Sequence, residues 1–268
     1  MKYLAESDIE EAAIEWLKSL PYMQYMHGAD LHRPFKKAVL EDRFTAYLQK
    51  RYSHVPARVL DEIKLQFLFN TGTDIHTRNH AFHLKLSKGI DWSWKDDNGH
   101  EQRGHFYAVD YDKPENNDWL IVNQFTIEGK NTRRPDLILF VNGLPLVLFE
   151  FKNLFDTEAT VDNAFNQVGH YIEDIPQVFE TNAITVISDG QTTLHGMYSS
   201  AMEWYASWKS IDGLKIVEND FALETLINGL LTPERLLQYI RFYIFHALDG
   251  GQLVKKGAKY HQFFGIQY

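Results

Sequence analysis

Apolar positions along the 268-residue chain fall into blocks of two different periods. Ile9, Ala12, Ala13, Trp16, Leu17 and Leu20 recur at helical spacing, which predicts an amphipathic opening helix that stops before Pro21. Ser7, with Glu10 three residues on, reads as its capping box. Two more amphipathic helices are expected between residues 40 and 69, the second starting at Pro56. Residues 72–97 are mixed in pattern and close on a turn signal, Asp96-Asp97-Asn98-Gly99. Period two then takes over. Residues 105–111 and 119–128 read as strands, as do 136–141 and 146–152, the last two joined across Asn142-Gly143. A helix is expected over 160–171 and a strand pair over 183–188 and 192–198. Helices resume beyond Phe221, with Thr232 as N-cap, Pro233 at the first helical position and an apolar run from Leu236 to Leu248. This order predicts an α/β (α+β) core with a helical C-terminal appendage.

Composition narrows the class. An apolar share of 44% with 14% aromatics supports a packed core and argues against disorder. With no Cys, disulfides, thiolate metal sites and Cys nucleophiles are excluded. The first residues turn acidic too soon for a signal peptide, and no apolar run reaches the roughly 18 residues of a membrane span. A protein of the cytoplasm without membrane contact is expected. The charge balance, 27 basic against 36 acidic residues, speaks against a general nucleic-acid coat but leaves room for a local basic groove or a carboxylate metal site.

The stretch that carries chemistry is Arg134-Pro135-Asp136, a short apolar strand, then Glu150-Phe151-Lys152-Asn153. Glu150 and Lys152 are two residues apart on a strand and share a face, while Phe149 and Phe151 point the other way. Register decides whether Asp136 joins them. A plain two-residue Asn142-Gly143 turn pairs Asp136 with Phe149 and puts the carboxylates on opposite faces. A loop of odd length, or a β-bulge, keeps Asp136 and Glu150 together, and one of these is expected. Two carboxylates, with the Phe151 backbone carbonyl, suit the hard, partly hydrated ion Mg²⁺. Lys152 would orient an attacking hydroxide or stabilise a pentavalent phosphorus. Gln167 and Tyr171 lie one helical turn apart on the following helix and share a face.

Together, Arg134-Pro135-Asp136, Glu150-Phe151-Lys152 and Gln167-x-x-x-Tyr171 resemble the restriction-endonuclease-like PD-(D/E)xK core of the RecB type, a mixed sheet flanked by helices. The resemblance is closest to the N-terminal nuclease domain of type I restriction endonuclease R subunits, and it runs from the first helix to the tail 258–264. It implies Mg²⁺-dependent cleavage of double-stranded DNA, with Asp136, Glu150 and Lys152 catalytic. Gln167, Tyr171 and Arg134 would support the site or position DNA, and Glu6 or Glu10 would add an accessory ligand. It also implies methylation and specificity subunits as partners, a nuclease domain over 1–210, and a helical linker over 211–268 leading to an ATP-dependent translocase. Gln262 would belong to that motor's adenine site. No GxxxxGK[ST] loop is present, so this chain is expected neither to hydrolyse ATP nor to translocate.

Other features are weaker. His76, His80 and His83 have the spacing of one helix face, but the Gly-, Asn- and Thr-rich surroundings make a helix doubtful and a metal site more so. Trp92, Trp94, Trp204 and Trp208 are expected in the core. Lys130, Arg133 and Arg134 form a small basic cluster, facing phosphate or solvent. Lys255, Lys256 and Lys259 read as a hinge or a DNA contact, with the hinge preferred. The alternative to a nuclease is a silent scaffold of the same fold. Weak, salt-sensitive DNA binding is expected of the chain alone.

Overall fold

The computed structural model describes residues 5–152, 161–217 and 221–266. Asn153 and Thr160 lie outside them. The chain opens with helix α1 (Glu6–Ser19), the strand β1 (Met23–His27), and helices α2 (Glu41–Arg51), α3 (Ala57–Leu68) and α4 (Ile75–Lys88). A hairpin β2 (Ile90–Lys95) and β3 (Glu101–Phe106) follows, then β4 (Trp119–Asn123), the short β5 (Ile127–Glu128) and β6 (Thr132–Arg133), β7 (Leu137–Val141) and β8 (Leu144–Phe151). Next come α5 (Val161–Asp174), β9 (Ile184–Ser188), β10 (Thr193–Gly196), α6 (Ala222–Leu230) and α7 (Pro233–Phe242). A second hairpin, β11 (Ile244–Asp249) and β12 (Gln252–Gly257), and the short α8 (Tyr260–Gly265) end the described chain.

Six strands form one sheet in the order β1-β4-β7-β8-β9-β10. The pairs β1–β4 and β8–β9 are parallel and the other three antiparallel, so the sheet is mixed. Every residue of β4, β7, β8 and β9 is buried, which explains their almost wholly apolar sequences. One face of the sheet packs residues of α1–α4 and α6–α8. The other packs α5 and the segment 175–179. This mixed sheet between helical layers is the restriction-endonuclease-like fold.

Several elements differ from expectation for identifiable reasons. Helix α1 is capped not at Ser7 but at Ala5, whose N–H donates to Asp8 Oδ2 at 2.8 Å. Asp8 thereby takes the capping role and leaves Glu10 free for other work. The expected strand 105–111 stops at Phe106, because Asp110 diverts the chain. Its Oδ1 accepts the N–H groups of Asp112 and Lys113, and Asn117 Oδ1 takes the Asp110 N–H. The strand expected over 119–128 breaks at Gln124, which adopts a left-handed backbone (φ 53°).

The apolar run 236–248 is not one helix. Helix α7 ends at Phe242 and the chain turns into the β11–β12 hairpin across Gly250 and Gly251, both at positive φ. The described residues from 211 onward are therefore only partly helical. Residues of α6, α7 and α8 share a continuous core with α1 and the sheet.

The doubtful histidine segment is a true helix, begun by Asp74, whose carboxylate accepts the Thr77 N–H at 2.8 Å. Its histidines hold the C-terminal hairpin. His83 Nε2 meets the Ile244 carbonyl at 3.1 Å, and the His80 ring packs on His246 at 4.5 Å between centroids. Of the tryptophans, Trp208 is in the core, while Trp204 is exposed.

Lys255 cannot touch DNA as it stands, since it is buried and donates to the Asn182 carbonyl at 2.6 Å. Burial pulls its ammonium down to about 7. A folded-state value below the unfolded one means that protonation favours unfolding at any pH below the unfolded value. Lys255→Met is expected to stabilise the protein by on the order of 2–4 kcal/mol near pH 6, where the native state must bury the charge. The gain should shrink as pH rises toward about 10, which urea unfolding at a series of pH values reads directly. Asn182 keeps a donor, because Asn79 Nδ2 also reaches its carbonyl at 2.9 Å. A gain that grew with pH would contradict the assignment.

Candidate active site

The β7–β8 hairpin turns through Asn142 and Gly143, both at positive φ, as a two-residue turn of this kind requires. Val141 pairs with Leu144 and Phe140 with Pro145. Beyond that the register shifts by one, so Leu139 pairs with Val147, Ile138 with Leu148 and Leu137 with Phe149. Leu146 is the extra residue of a β-bulge, and Leu146 and Val147, though consecutive, enter the same core layer. The turn is even, and the bulge supplies the correction. One step past the Leu137–Phe149 pair, Asp136 stands opposite Glu150 on the face that carries α5.

The two carboxylates are buried, Asp136 at 7% and Glu150 at 2% exposure. Asp136 Oδ2 accepts the Phe151 N–H at 2.7 Å, which locks the strand end to the carboxylate. Glu150 Oε1 accepts from Lys152 Nζ at 2.7 Å and Oε2 from the Tyr171 hydroxyl at 2.9 Å. Lys152 Nζ also donates to the Phe151 carbonyl at 2.7 Å, and Glu6 Oε2 lies 4.0 Å from it. The Gln167 side chain interacts with the Tyr171 hydroxyl. The structure thus brings together Asp136, Glu150, Phe151, Lys152, Gln167, Tyr171 and Glu6.

Electrostatics show a site short of positive charge. Burial, then the Glu150 charge, pushes Asp136 up to about 8. Burial raises Glu150 as well, against the pull of Lys152 and Tyr171. Burial works against the Lys152 charge, but Glu150, Glu6 and Asp136 more than reverse it, and its pKa is raised. Among the described residues, three carboxylates face one ammonium. A divalent cation would restore the balance, and the oxygen-only donor set of Asp136, Glu150 and the Phe151 carbonyl suits Mg²⁺. The Lys152 ammonium already bridges Glu150 Oε1 and the Phe151 carbonyl, so those two oxygens are oriented toward a common cation.

Glu10 is held elsewhere. It accepts from Asn123 Nδ2 at 2.7 Å and from Gln124 Nε2 at 2.9 Å. Gln124 in turn donates its backbone N–H to the Asp136 carbonyl at 3.0 Å. Asn123 and Gln124 escaped the sequence reading, since nothing in a Val-Asn-Gln-Phe string announces a left-handed residue that grips both α1 and β7. The basic cluster divides too. Arg133 pairs with Asp174 at 2.6 Å, while Arg134 is exposed and has no carboxylate partner among the described residues. Gln262 is far along the chain in α8, where its Oε1 accepts the Lys259 N–H at 2.8 Å. It borders a C-terminal cavity of about 670 Å³ that also touches Trp204 and Phe245.

The chain belongs to the family described as type I restriction enzyme R protein N terminus, whose sequence profile matches residues 3–202. It is 32% identical to the type I restriction enzyme HindI endonuclease subunit of Haemophilus influenzae, over 98% of this chain and 26% of that protein. Similarity to the putative type I restriction enzyme MjaIXP endonuclease subunit of Methanocaldococcus jannaschii is 28% identity, over 97% of this chain and 27% of that one. The chain spans about a quarter of the length of these curated relatives. Among the described residues no helix is long and apolar enough to cross a membrane.

The Tyr171 hydroxyl is the neutral donor to a deeply buried carboxylate oxygen. Tyr171→Phe is expected to cost about 1.5–3 kcal/mol, the range for a hydrogen bond to a charged group. Urea unfolding in a metal chelator measures it, and a loss below about 0.5 kcal/mol would show that Glu150 does not depend on this bond.

Proposed function

We propose that the chain is a Mg²⁺-dependent nuclease domain that hydrolyses phosphodiester bonds of double-stranded DNA, as the endonuclease portion of a type I restriction enzyme R subunit. The observation that carries this reading is the bulge-set opposition of Asp136 and Glu150, with Lys152 bonded to Glu150 on the same side. Asp136, Glu150 and the Phe151 carbonyl would hold the ion. Glu6, which adds negative charge to all three catalytic groups, is preferred over Glu10 as the accessory carboxylate. A bound Mg²⁺ would lower the pKa of a coordinated water and offset charge on the scissile phosphate. Lys152 would donate to a phosphate oxygen as negative charge builds there. Tyr171, backed by Gln167, keeps Glu150 in its rotamer, and Asn123 and Gln124 hold α1 against the sheet end.

The relatives are named as endonuclease subunits, and the family suggests methylation and specificity subunits as partners. ATP would enter only in a longer subunit, with Gln262 near the adenine. A silent scaffold of the same fold is the second reading. The intact acidic pair and its lysine favour the nuclease.

Cleavage of supercoiled plasmid in Mg²⁺ or Mn²⁺ tests the assignment. Asp136→Ala and Lys152→Ala are each expected to lower the rate at least about 100-fold, the scale of losing a transition-state charge contact. Activity that survives Asp136→Ala would remove the site.

A further inference from the structure

Beside the carboxylates lies a cleft of about 550 Å³, bordered by His27, His32, Arg33, Gln124, Thr126 and Arg134. Its place follows from the register. His27 pairs with Asn123, Asn123 with Leu137, and Leu137 with Phe149, so the next row across the sheet end is Gly28, Gln124, Asp136 and Glu150. The cleft therefore begins in the same row as the catalytic pair. At the spacing of adjacent strands, Gly28 stands roughly 10 Å from Asp136. Gly28 admits no side chain, because a Cβ would come within 2.3 Å of the Gln124 carbonyl oxygen, and this holds the turn after β1 tight on the cleft floor.

The lining is basic on an acidic chain. Arg33 lies over the Phe125 ring, 3.4 Å from its centroid, and donates to the carbonyls of Pro34, Lys37 and Thr126. All of those partners are neutral, and the buried Arg33 Nε has no partner among the described residues. Among the described residues neither Arg33 nor Arg134 forms an ion pair, although 36 acidic residues are available in the chain. Arg33 is held near pKa 10 by burial and stays charged at neutral pH. His27 Nδ1 accepts the Ala29 N–H at 3.1 Å, which leaves its Nε2 as the N–H donor. A fixed guanidinium, an exposed guanidinium and an imidazole N–H line the cleft, with no carboxylate among its described lining residues.

We propose that this cleft grips the phosphodiester backbone of the DNA strand about one to two phosphates from the bond presented to Asp136 and Glu150. The assignment rests on the nuclease reading and adds the track along which the duplex lies. Arg33, immobilised on Phe125 and three carbonyls, supplies a pre-organised charge, and the exposed Arg134 adds a second guanidinium at the cleft.

Duplex binding to the 268-residue chain, followed by fluorescence anisotropy in a metal chelator across a salt series, tests the cleft without cleavage. Arg134→Ala and Arg33→Gln are each expected to weaken binding about 3- to 10-fold and to reduce the slope of log K against log salt by about one. Lys50→Ala, on the exposed side of α2, serves as the remote control and should change neither. Melting of each variant confirms folding, and Arg134, which is exposed and forms no ion pair among the described residues, keeps the test valid if Arg33→Gln unfolds. Unchanged affinity and slope in Arg134→Ala, or an equal loss in Lys50→Ala, would overturn the proposal. So would displacement of the duplex by a millimolar mononucleotide, since a backbone track draws its affinity from several phosphates at once. Failure of Asp136→Ala to affect cleavage would sink the nuclease reading while leaving these binding results intact, so the two failures are separable.

Discussion

Two carboxyl groups face each other across neighbouring strands inside an apolar wall, and much of this structure is arranged around that costly placement. Like charges this close, and this far from water, resist ionising together. The chain meets the problem with a lysine two residues from one carboxylate, a strand-end amide on the other and a tyrosine from the covering helix. None of these removes the excess of acid. What is left over is an excess of negative charge, which a hard dication would offset on the nuclease reading proposed above.

The opposition itself depends on one extra residue. Without the bulge at Leu146, the tight Asn142-Gly143 turn would send the two carboxylates to opposite faces of the sheet. The turn is in turn locked in place, because Gly143 packs so tightly on Leu40 that a Cβ there would come within 2.3 Å of the Leu40 carbonyl oxygen. The sheet end is tied as firmly. Glu10 of α1 bonds Asn123 and Gln124, and Gln124 bonds the backbone of Asp136, so the opening helix is tied to the end of β7. Arg33 and Arg134, which form no ion pair among the described residues, give a net acidic chain a local concentration of positive charge beside this end. Net charge describes the average, whereas a polyanion meets the local field.

The C-terminal segment shows how tertiary contacts override local pattern. Residues 236–248 have the apolar density of a helix, yet the chain leaves helical geometry at Tyr243 and forms a hairpin. Histidines of α4 receive that hairpin, and the same contacts bury Lys255 among His83, His246 and Tyr198. A lysine string that reads as a surface hinge thus divides, with Lys255 inside and Lys256 pairing with Asp249 at 3.3 Å.

Much of the architecture was legible because it is written in short-range terms. The period of the apolar residues placed α1, α2, α3, α5 and the buried strands, and the Pro-Asp and Glu-x-Lys spacing singled out the acidic pair, since residues two apart on a strand must share a face. The spacing also showed that an odd correction was needed if the pair was to meet. It did not say whether loop or bulge would provide it, because both satisfy the same parity. Tertiary structure alone decided the rest. The cap of α1 went to Asp8, Glu10 went to β4, and Arg133 was claimed by Asp174 while Arg134 has no carboxylate partner among the described residues. Each of those outcomes is a choice among chemically equal partners, and only the distances fixed by the packed sheet can make it.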